Sequence, residues 1–374
     1  MTKYLFVGLE SSTDVWVSLR SLDDLLEISC KTKSDMNEEL KHAYRGLKEN
    51  VGDEIPVDGK DTKILINELS NIALIETSIG GSAAIETSQF LALGERPYYL
   101  GNYYPHQLQG SLFSRADFSL AIPSKLNPIS IILQTTGDRF ILANGEGRRI
   151  DNILDYIKSL PSIIEPLARP DVVSLVGWHV LFSLDVDKSK IDSVVSSLRS
   201  IRELGISIFT DTGGFGKKSD REILRLWEIY ESFDILSMNE WEFQRLCKVL
   251  SLEGSEDKRL SELLELGKNL KTIWLHAKDY QMSMSHQFSS RRLAMAQEFS
   301  SAAGCLRVET GRFPSISDID DRSVPGRSDA MGDVIKTRSL RIRNFKTEVG
   351  AGDVSAASFL WKLLGLGSDN QILF

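Results

Sequence analysis

KSKIDSVVSSLRSIRELGISIF, residues 188–209, sets how the rest of this chain is read. Ile191, Val194, Val195, Leu198, Ile201 and Leu204 recur at helical spacing, and the apolar run 206–209 behind them is a short strand. The same succession repeats on either side. A buried strand is predicted at 171–176, a helix at 219–232 with Asp220 and Glu222 in its favourable first turn, and a strand at 234–237. Helices at 240–250 and 259–270, a strand at 271–276, a helix at 291–303 and an extended piece at 305–308 complete the pattern. Such alternation implies parallel strands covered by helices. That is a doubly wound α/β sheet, with ligands beyond the carboxyl ends of its strands.

The first half is less regular. Residues 21–50 are charged and partly helical, 61–76 read as extended, and 82–93 form a helix rich in small residues. Apolar stretches at 118–122, 129–134 and 139–142, separated by Pro, Asn and Gly, suit strands. A strand-rich insert against an α/β body suggests a lid. Segments 145–149 and 313–331 read as polar, mobile loops.

A chain of 374 residues divides naturally into one large domain and a smaller one. Its net charge of -8 argues against a general nucleic-acid binder, which needs clustered Lys and Arg. Cys30, Cys247 and Cys305 are too sparse for a disulfide framework and read as reduced, buried thiols of a cytoplasmic protein. The histidines lack metal-ligand spacing, and no apolar run suits a leader or a membrane span. Oligomeric state is open.

Four places carry chemistry. In Thr347-Glu348-Val349-Gly350-Ala351-Gly352-Asp353, two glycines let backbone N–H groups approach an anion. A helical stripe of Val354, Ala357, Leu360 and Leu364 starts at once, offering its positive end, and Asp353 stands there as a base. The simpler alternative is a glycine turn with Asp353 as N-cap. Asn239 and Glu242 share a helix face behind the strand 234–237 and can organise Mg²⁺ through its waters, with Glu240 as an alternative carboxylate. Equally, Asn239 is an N-cap answered by Glu242. Gly80-Gly81-Ser82 opens a helix and permits close approach of a ligand, or is a simple turn. Asp14, behind the strand near Tyr4–Gly8, is either a sugar-hydroxyl acceptor or a surface-loop acid.

Taken in order, these motifs resemble the ribokinase-like kinases, and more closely the ADP-dependent glucokinase/phosphofructokinase family. The resemblance rests on GGSAAIETSQFLALGERPYYLG (80–101), VSLVGWHVL (173–181), LSMNEWEF (236–243), IWLHAKDYQMS (273–283) and TEVGAGD (347–353). It implies a discontinuous large α/β domain, 1–16 with 65–111 and 150–374, and a lid of 17–64 with 112–149. It implies phosphoryl transfer from ADP to a sugar or sugar phosphate, with Mg²⁺. Asp353 is then the base, and Gly350, Ala351 and Gly352 are the anion hole. Arg139 is a phosphate contact, and Asp14, Gly80, Gly81 and Ser82 lie on the sugar side. His276 lies near the nucleotide, and Glu242, Asn239 and Asp211 belong to the metal periphery. In that family, early termination after Gly-x-Gly-Asp marks the ADP-using branch. An ATP-dependent carbohydrate or nucleoside kinase, or a non-catalytic sugar- or nucleotide-binding descendant, are the alternatives.

The departures from the family pattern cluster. Its His-x-Glu aligns with Phe209-Thr210-Asp211, and its Asn-x-Asn-Val-Asp with Glu10-Ser11-Ser12-Thr13-Asp14. The asparagine of its Gly-Gly-Asn-Ala is Ser82, and the one before Arg139 is Asp138. These changes lie on the sugar side and the metal periphery. They point to an altered acceptor or to weakened activity toward glucose and fructose 6-phosphate.

Overall fold

The computed structural model describes residues 5–9, 11–19, 21–31, 34–49, 53–57, 59–71, 73–125, 128–134, 139–144, 150–165, 170–178, 188–215, 218–324, 326–347 and 349–366. Its main sheet has nine strands. Tyr98–Tyr99, Leu5–Gly8, Val172–Leu175, Ser207–Asp211, Ile235–Asn239 and Thr272–His276 run parallel in that spatial order. Tyr280–Ser285, Val334–Arg338 and Ser328–Met331 extend it antiparallel.

Neighbouring residues on each parallel strand enter different apolar layers, because successive side chains point to opposite faces. Val173, Ile208, Leu236 and Ile273 pack with the helices Ile150–Ile164, Lys188–Glu203, Asp220–Tyr230, Glu240–Val249 and Glu256–Leu266. Val172, Phe209, Ile235 and Trp274 pack with Ser82–Ala92, Ser290–Thr310 and Ala351–Leu364. Burial on both faces is why these strands are continuous apolar runs. In the second layer the indole of Trp274 stacks on Phe359 at 4.3 Å. A Cβ on Gly304 would come within 2.2 Å of Ser355 Oγ, so this glycine lets the last two long helices approach.

A second, five-stranded sheet runs Asp53–Val57, Arg139–Asn144, Ile129–Gln134, Ser12–Ser18, Leu74–Gly80. One face buries Val17, Ile131, Leu133, Phe140 and Leu142 against the helices Asp23–Lys31, Ser34–Glu49 and Gly59–Ser70. By register the other face carries Asp14 beside Ser78 and Ser130, then Trp16 beside Glu76 and Ile132. The α/β class, with a helix-flanked sheet and a smaller strand-rich unit, is as expected. Sheet membership puts Ser12–Ser18 and Leu74–Gly80 with the smaller unit.

Several local expectations are corrected. Residues 305–308 are helical, inside Ser290–Thr310, because Ala303 and Arg307 continue one buried stripe against the last helix. The segment 61–76 is not all extended: Thr62, Leu65 and Leu69 form the buried stripe of Gly59–Ser70 before the strand starts at Leu74. Of 118–122 only Ile122 enters a strand, with Pro123. The segment 313–331 contains the helix Ile316–Arg322 and the strand Ser328–Met331, while 145–149 lies outside the described residues. Cys30 is exposed rather than buried.

Candidate active site

Three neighbouring parallel strands end in Asp211, Asn239 and His276, with Asp211 opposite Ser237 and Asn239 opposite His276. Their carboxyl ends therefore line up polar side chains on one edge of the sheet. Asp211 Oδ2 accepts a hydrogen bond from Ser237 Oγ at 2.6 Å and lies 3.5 Å from His276 Nε2, while Oδ1 accepts the Gly213 N–H at 2.9 Å. Burial works to raise this carboxyl, but His276, Ser237 and the Gly213 N–H outweigh it and hold the group below its usual range.

Asn239 and Glu242 form a reciprocal cap at the start of Glu240–Val249. The Glu242 N–H donates to Asn239 Oδ1 at 2.9 Å, and the Asn239 N–H donates to Glu242 Oε2 at 2.8 Å. The capping alternative is thus realised in full. It does not exhaust Glu242, whose Oε2 also accepts Thr212 Oγ–H at 2.5 Å while the residue is 3% exposed. Burial, then the Asp211 charge, and more weakly that of Asp353, push its carboxyl up to about 8.

The helix Ala351–Leu364 begins beside this edge. Gly350 is its N-cap, with φ 72 in the left-handed region, and a Cβ there would press on Ile85 at 3.1 Å. A Cβ on Gly352 would sit 3.7 Å from His276 Cε1, so the imidazole lies against the glycine turn. Asp353 is in the first helical turn, and its charge acts on Glu242, on Glu86 and on Arg307. Asp353, Glu242, Asp211 and His276 therefore lie in one neighbourhood, linked by the His276–Asp211 contact, the fields of Asp211 and Asp353 on Glu242, and the approach of His276 to Gly352.

Asp14 lies inside the strand Ser12–Ser18, 4% exposed, and so is not a surface-loop acid. Ser12 Oγ donates to its Oδ1 at 3.1 Å. Its carboxylate fills the space beside Gly80, the last residue of Leu74–Gly80. Gly81 follows with φ 83 and caps Ser82–Ala92 without a side-chain hydrogen bond. Arg139 opens its strand opposite Gln134. Gln134 donates to the Lys346 carbonyl at 3.0 Å and accepts from Thr347 Oγ1 at 3.3 Å, so the smaller sheet touches the glycine motif.

Two buried charged residues were not foreseen. Arg307 is 6% exposed on Ser290–Thr310; its Nε donates to the Val349 carbonyl at 3.3 Å and its Nη1 to the Gly311 carbonyl at 2.6 Å. Glu86, fully buried on Ser82–Ala92, accepts Ser174 Oγ–H at 2.6 Å through Oε2, and Oε1 has no partner among the described residues. Burial pushes this carboxyl well above the usual range against the Ser174 hydrogen bond, and Asp353 and Asp211 push it further. The readable signal for both was a lone charge among small or apolar residues on a helix.

Among the described residues, no group of three or more His, Cys, Asp and Glu side chains is arranged to hold a metal directly. The donor set instead fits a hydrated divalent cation. Asp211, Asn239 and Glu242 are hard oxygen donors, and the mutual repulsion of the acids marks a field that a cation would relieve.

No protein-family model and no curated protein matches the chain. In three dimensions the chain has the fold of the ADP-dependent kinases. It superposes on a hypothetical ADP-dependent phosphofructokinase from Pyrococcus horikoshii OT3 with a TM-score of 0.72 at 13% identity, covering 97% of this chain and 98% of that one. An ADP-dependent kinase in complex with fructose-6-phosphate and ADPβS gives 0.73 at 14% identity, covering 98% and 94%. The last common ancestor of ADP-dependent phosphofructokinases from Methanosarcinales gives 0.71 at 14% identity, covering 99% and 95%. At these identities the likeness defines the fold, and the chemistry has to be argued from the residues.

Proposed function

We propose that this chain transfers the terminal phosphoryl group of ADP to a hydroxyl of a sugar or sugar phosphate, releasing AMP. The carrying observation is the convergence of Asp353 with Glu242, Asp211 and His276 around the turn Gly350–Gly352. The acceptor oxygen forms a bond to the phosphorus while the bond from phosphorus to the bridging oxygen breaks. AMP leaves with that electron pair, and the hydroxyl proton passes to Asp353.

The groups present divide this work. The N–H groups at the start of Ala351–Leu364 bind phosphoryl oxygens, aided by the helix dipole. Asp353 need only accept its proton late, an effect worth about 10²–10⁴-fold. His276 lies against Gly352 on the nucleotide side, while Asp14, Gly80, Gly81 and Ser82 orient the acceptor. Arg139 is the phosphate contact offered by the resemblance. Asp211, Glu242 and Asn239 would hold Mg²⁺ through its waters, and when bound it neutralises diphosphate charge. Contact between Gln134 and the segment 346–347 supports the smaller sheet as a cover that excludes water. Three unpaired cysteines suit a cytoplasmic location, and no helix among the described residues is long and apolar enough to cross a membrane.

The test is AMP formation from ADP and Mg²⁺ with a panel of sugars, sugar phosphates and nucleosides, run beside ATP. AMP formed with at least one sugar or sugar phosphate is expected. ADP formed from ATP alone would replace the donor, and no transfer from either nucleotide would leave a non-catalytic binding protein.

A further inference from the structure

Arg307 and His276 both lie against the glycine turn. A Cβ on Gly350 would lie 3.6 Å from Arg307 Nη2, as one on Gly352 would lie 3.7 Å from His276 Cε1. Two of its nitrogens are committed: Nε to Val349, the residue before the turn, and Nη1 to Gly311. The guanidinium also lies over the Phe313 ring, 4.6 Å from its centre, while its orientation is set by the two backbone hydrogen bonds. Nη2 has no acceptor among the described residues.

The surrounding charges give this position meaning. Burial works against the Arg307 cation, and the carboxylates of Asp353 and Asp14 support it. One of these acids is the proposed base and the other lies on the proposed acceptor side. A buried guanidinium held by two backbone carbonyls, with one uncommitted N–H edge and both acids acting on it, is suited to meet an anion.

We propose that Arg307 contacts the transferring phosphoryl group through Nη2, on the acceptor side of the Gly350 turn. The proposal rests on the kinase reading for its place in the reaction. As the phosphorus moves from the bridging oxygen of ADP to the acceptor oxygen, its equatorial oxygens pass between Gly350 and Asp14. Arg307 offers them a charge-assisted hydrogen bond there. Its charge also offsets those of Asp353 and Asp14, which would otherwise repel the approaching phosphate. A preorganised donor of this kind acts on the rate more than on nucleotide affinity.

The test compares Arg307→Ala, Arg307→Lys and Phe313→Leu with the parent protein. Phe313→Leu loosens the same cluster and leaves the guanidinium in place, so it reports a purely structural effect. Arg307→Ala should lower kcat by about 10²–10³-fold with the ADP KM nearly unchanged, whereas Phe313→Leu should keep kcat within about threefold. Guanidinium ion at millimolar concentration should restore part of the Arg307→Ala rate, and Arg307→Lys should fall between. Equal losses in Arg307→Ala and Phe313→Leu, or no rescue by guanidinium, would reduce Arg307 to a tether of the loop.

Should the parent protein transfer no phosphate, the kinase reading fails on its own. Calorimetry with inorganic phosphate then decides about Arg307. Phosphate bound by the parent and about tenfold more weakly by Arg307→Ala upholds the contact. Equal binding, or none by the parent, overturns it.

Discussion

A Cβ placed on Gly80 would stand 1.7 Å from Oδ1 of Asp14, so the carboxylate of the one residue occupies the side-chain space of the other. The two lie on paired antiparallel strands, with Gly80 directly opposite Ser12. Gly80 does not have a left-handed φ, so only this contact demands glycine. Gly80→Ala should therefore displace Asp14, destabilise the fold by about 1–3 kcal/mol and raise the acceptor KM. Combining it with Asp14→Ala should recover most of the lost stability without recovering acceptor affinity. Thermal unfolding and acceptor titration check both halves, and strict additivity in stability would refute the clash.

Asp353→Asn keeps the size of the side chain in the first turn of its helix and removes the proton acceptor. The expected result is a fall in kcat of about 10²–10⁴-fold with ADP affinity nearly unchanged. AMP release and equilibrium ADP binding measure the two quantities. An unchanged kcat would leave Asp353 as a helix-start acid only.

Glu242 makes the metal-free protein sensitive to pH. Its carboxyl titrates near 4.5 when unfolded and is pushed to about 8 in the fold, first by burial and then by Asp211. Between those values the folded state holds more protons than the unfolded one, so stability falls as pH rises through this window and levels off above it. Glu242→Gln should flatten that decline. Denaturant unfolding in chelator across this range is the measurement, and an equal slope in both proteins would show that the carboxyl ionises normally.

Gly350→Ala places a Cβ in the left-handed region, against Ile85 and towards Arg307. It should cost about 1–2 kcal/mol from the backbone alone, with a disproportionate loss of kcat because the turn itself shifts. If activity survives while stability drops, the turn is structural and its N–H groups do not bind the phosphate.

Chelation should stop AMP release and leave the fold standing. Glu242 is already satisfied by Thr212 and Asn239, and Asp211 by Ser237 and Gly213, without a cation. Activity and circular dichroism after treatment with chelator, then again with Mg²⁺, give the comparison. Full activity in chelator would remove the metal from the proposal.

Helical spacing from Ile191 to Leu204, the apolar strands beside it and the Gly-x-Gly-Asp turn were legible in the chain, because each depends on neighbours a few residues away. The same local grammar misled where burial came from afar. The stripe that makes 305–308 helical, and carries Arg307 into the site, exists only because Ala351–Leu364 packs against it. The strand that carries Asp14 was not legible because it is paired by segments near residues 77 and 131, and no local pattern announces such partners. Glu86 likewise stands out only in the fold, where it is buried, bonded to Ser174 and acted on by the charges of Asp353 and Asp211. Secondary structure and the identity of the glycine cradle belong to short-range sterics and periodicity. Which acids share a field, and which cation feels them, belongs to long-range packing, where burial rather than spacing sets the energy of a charge.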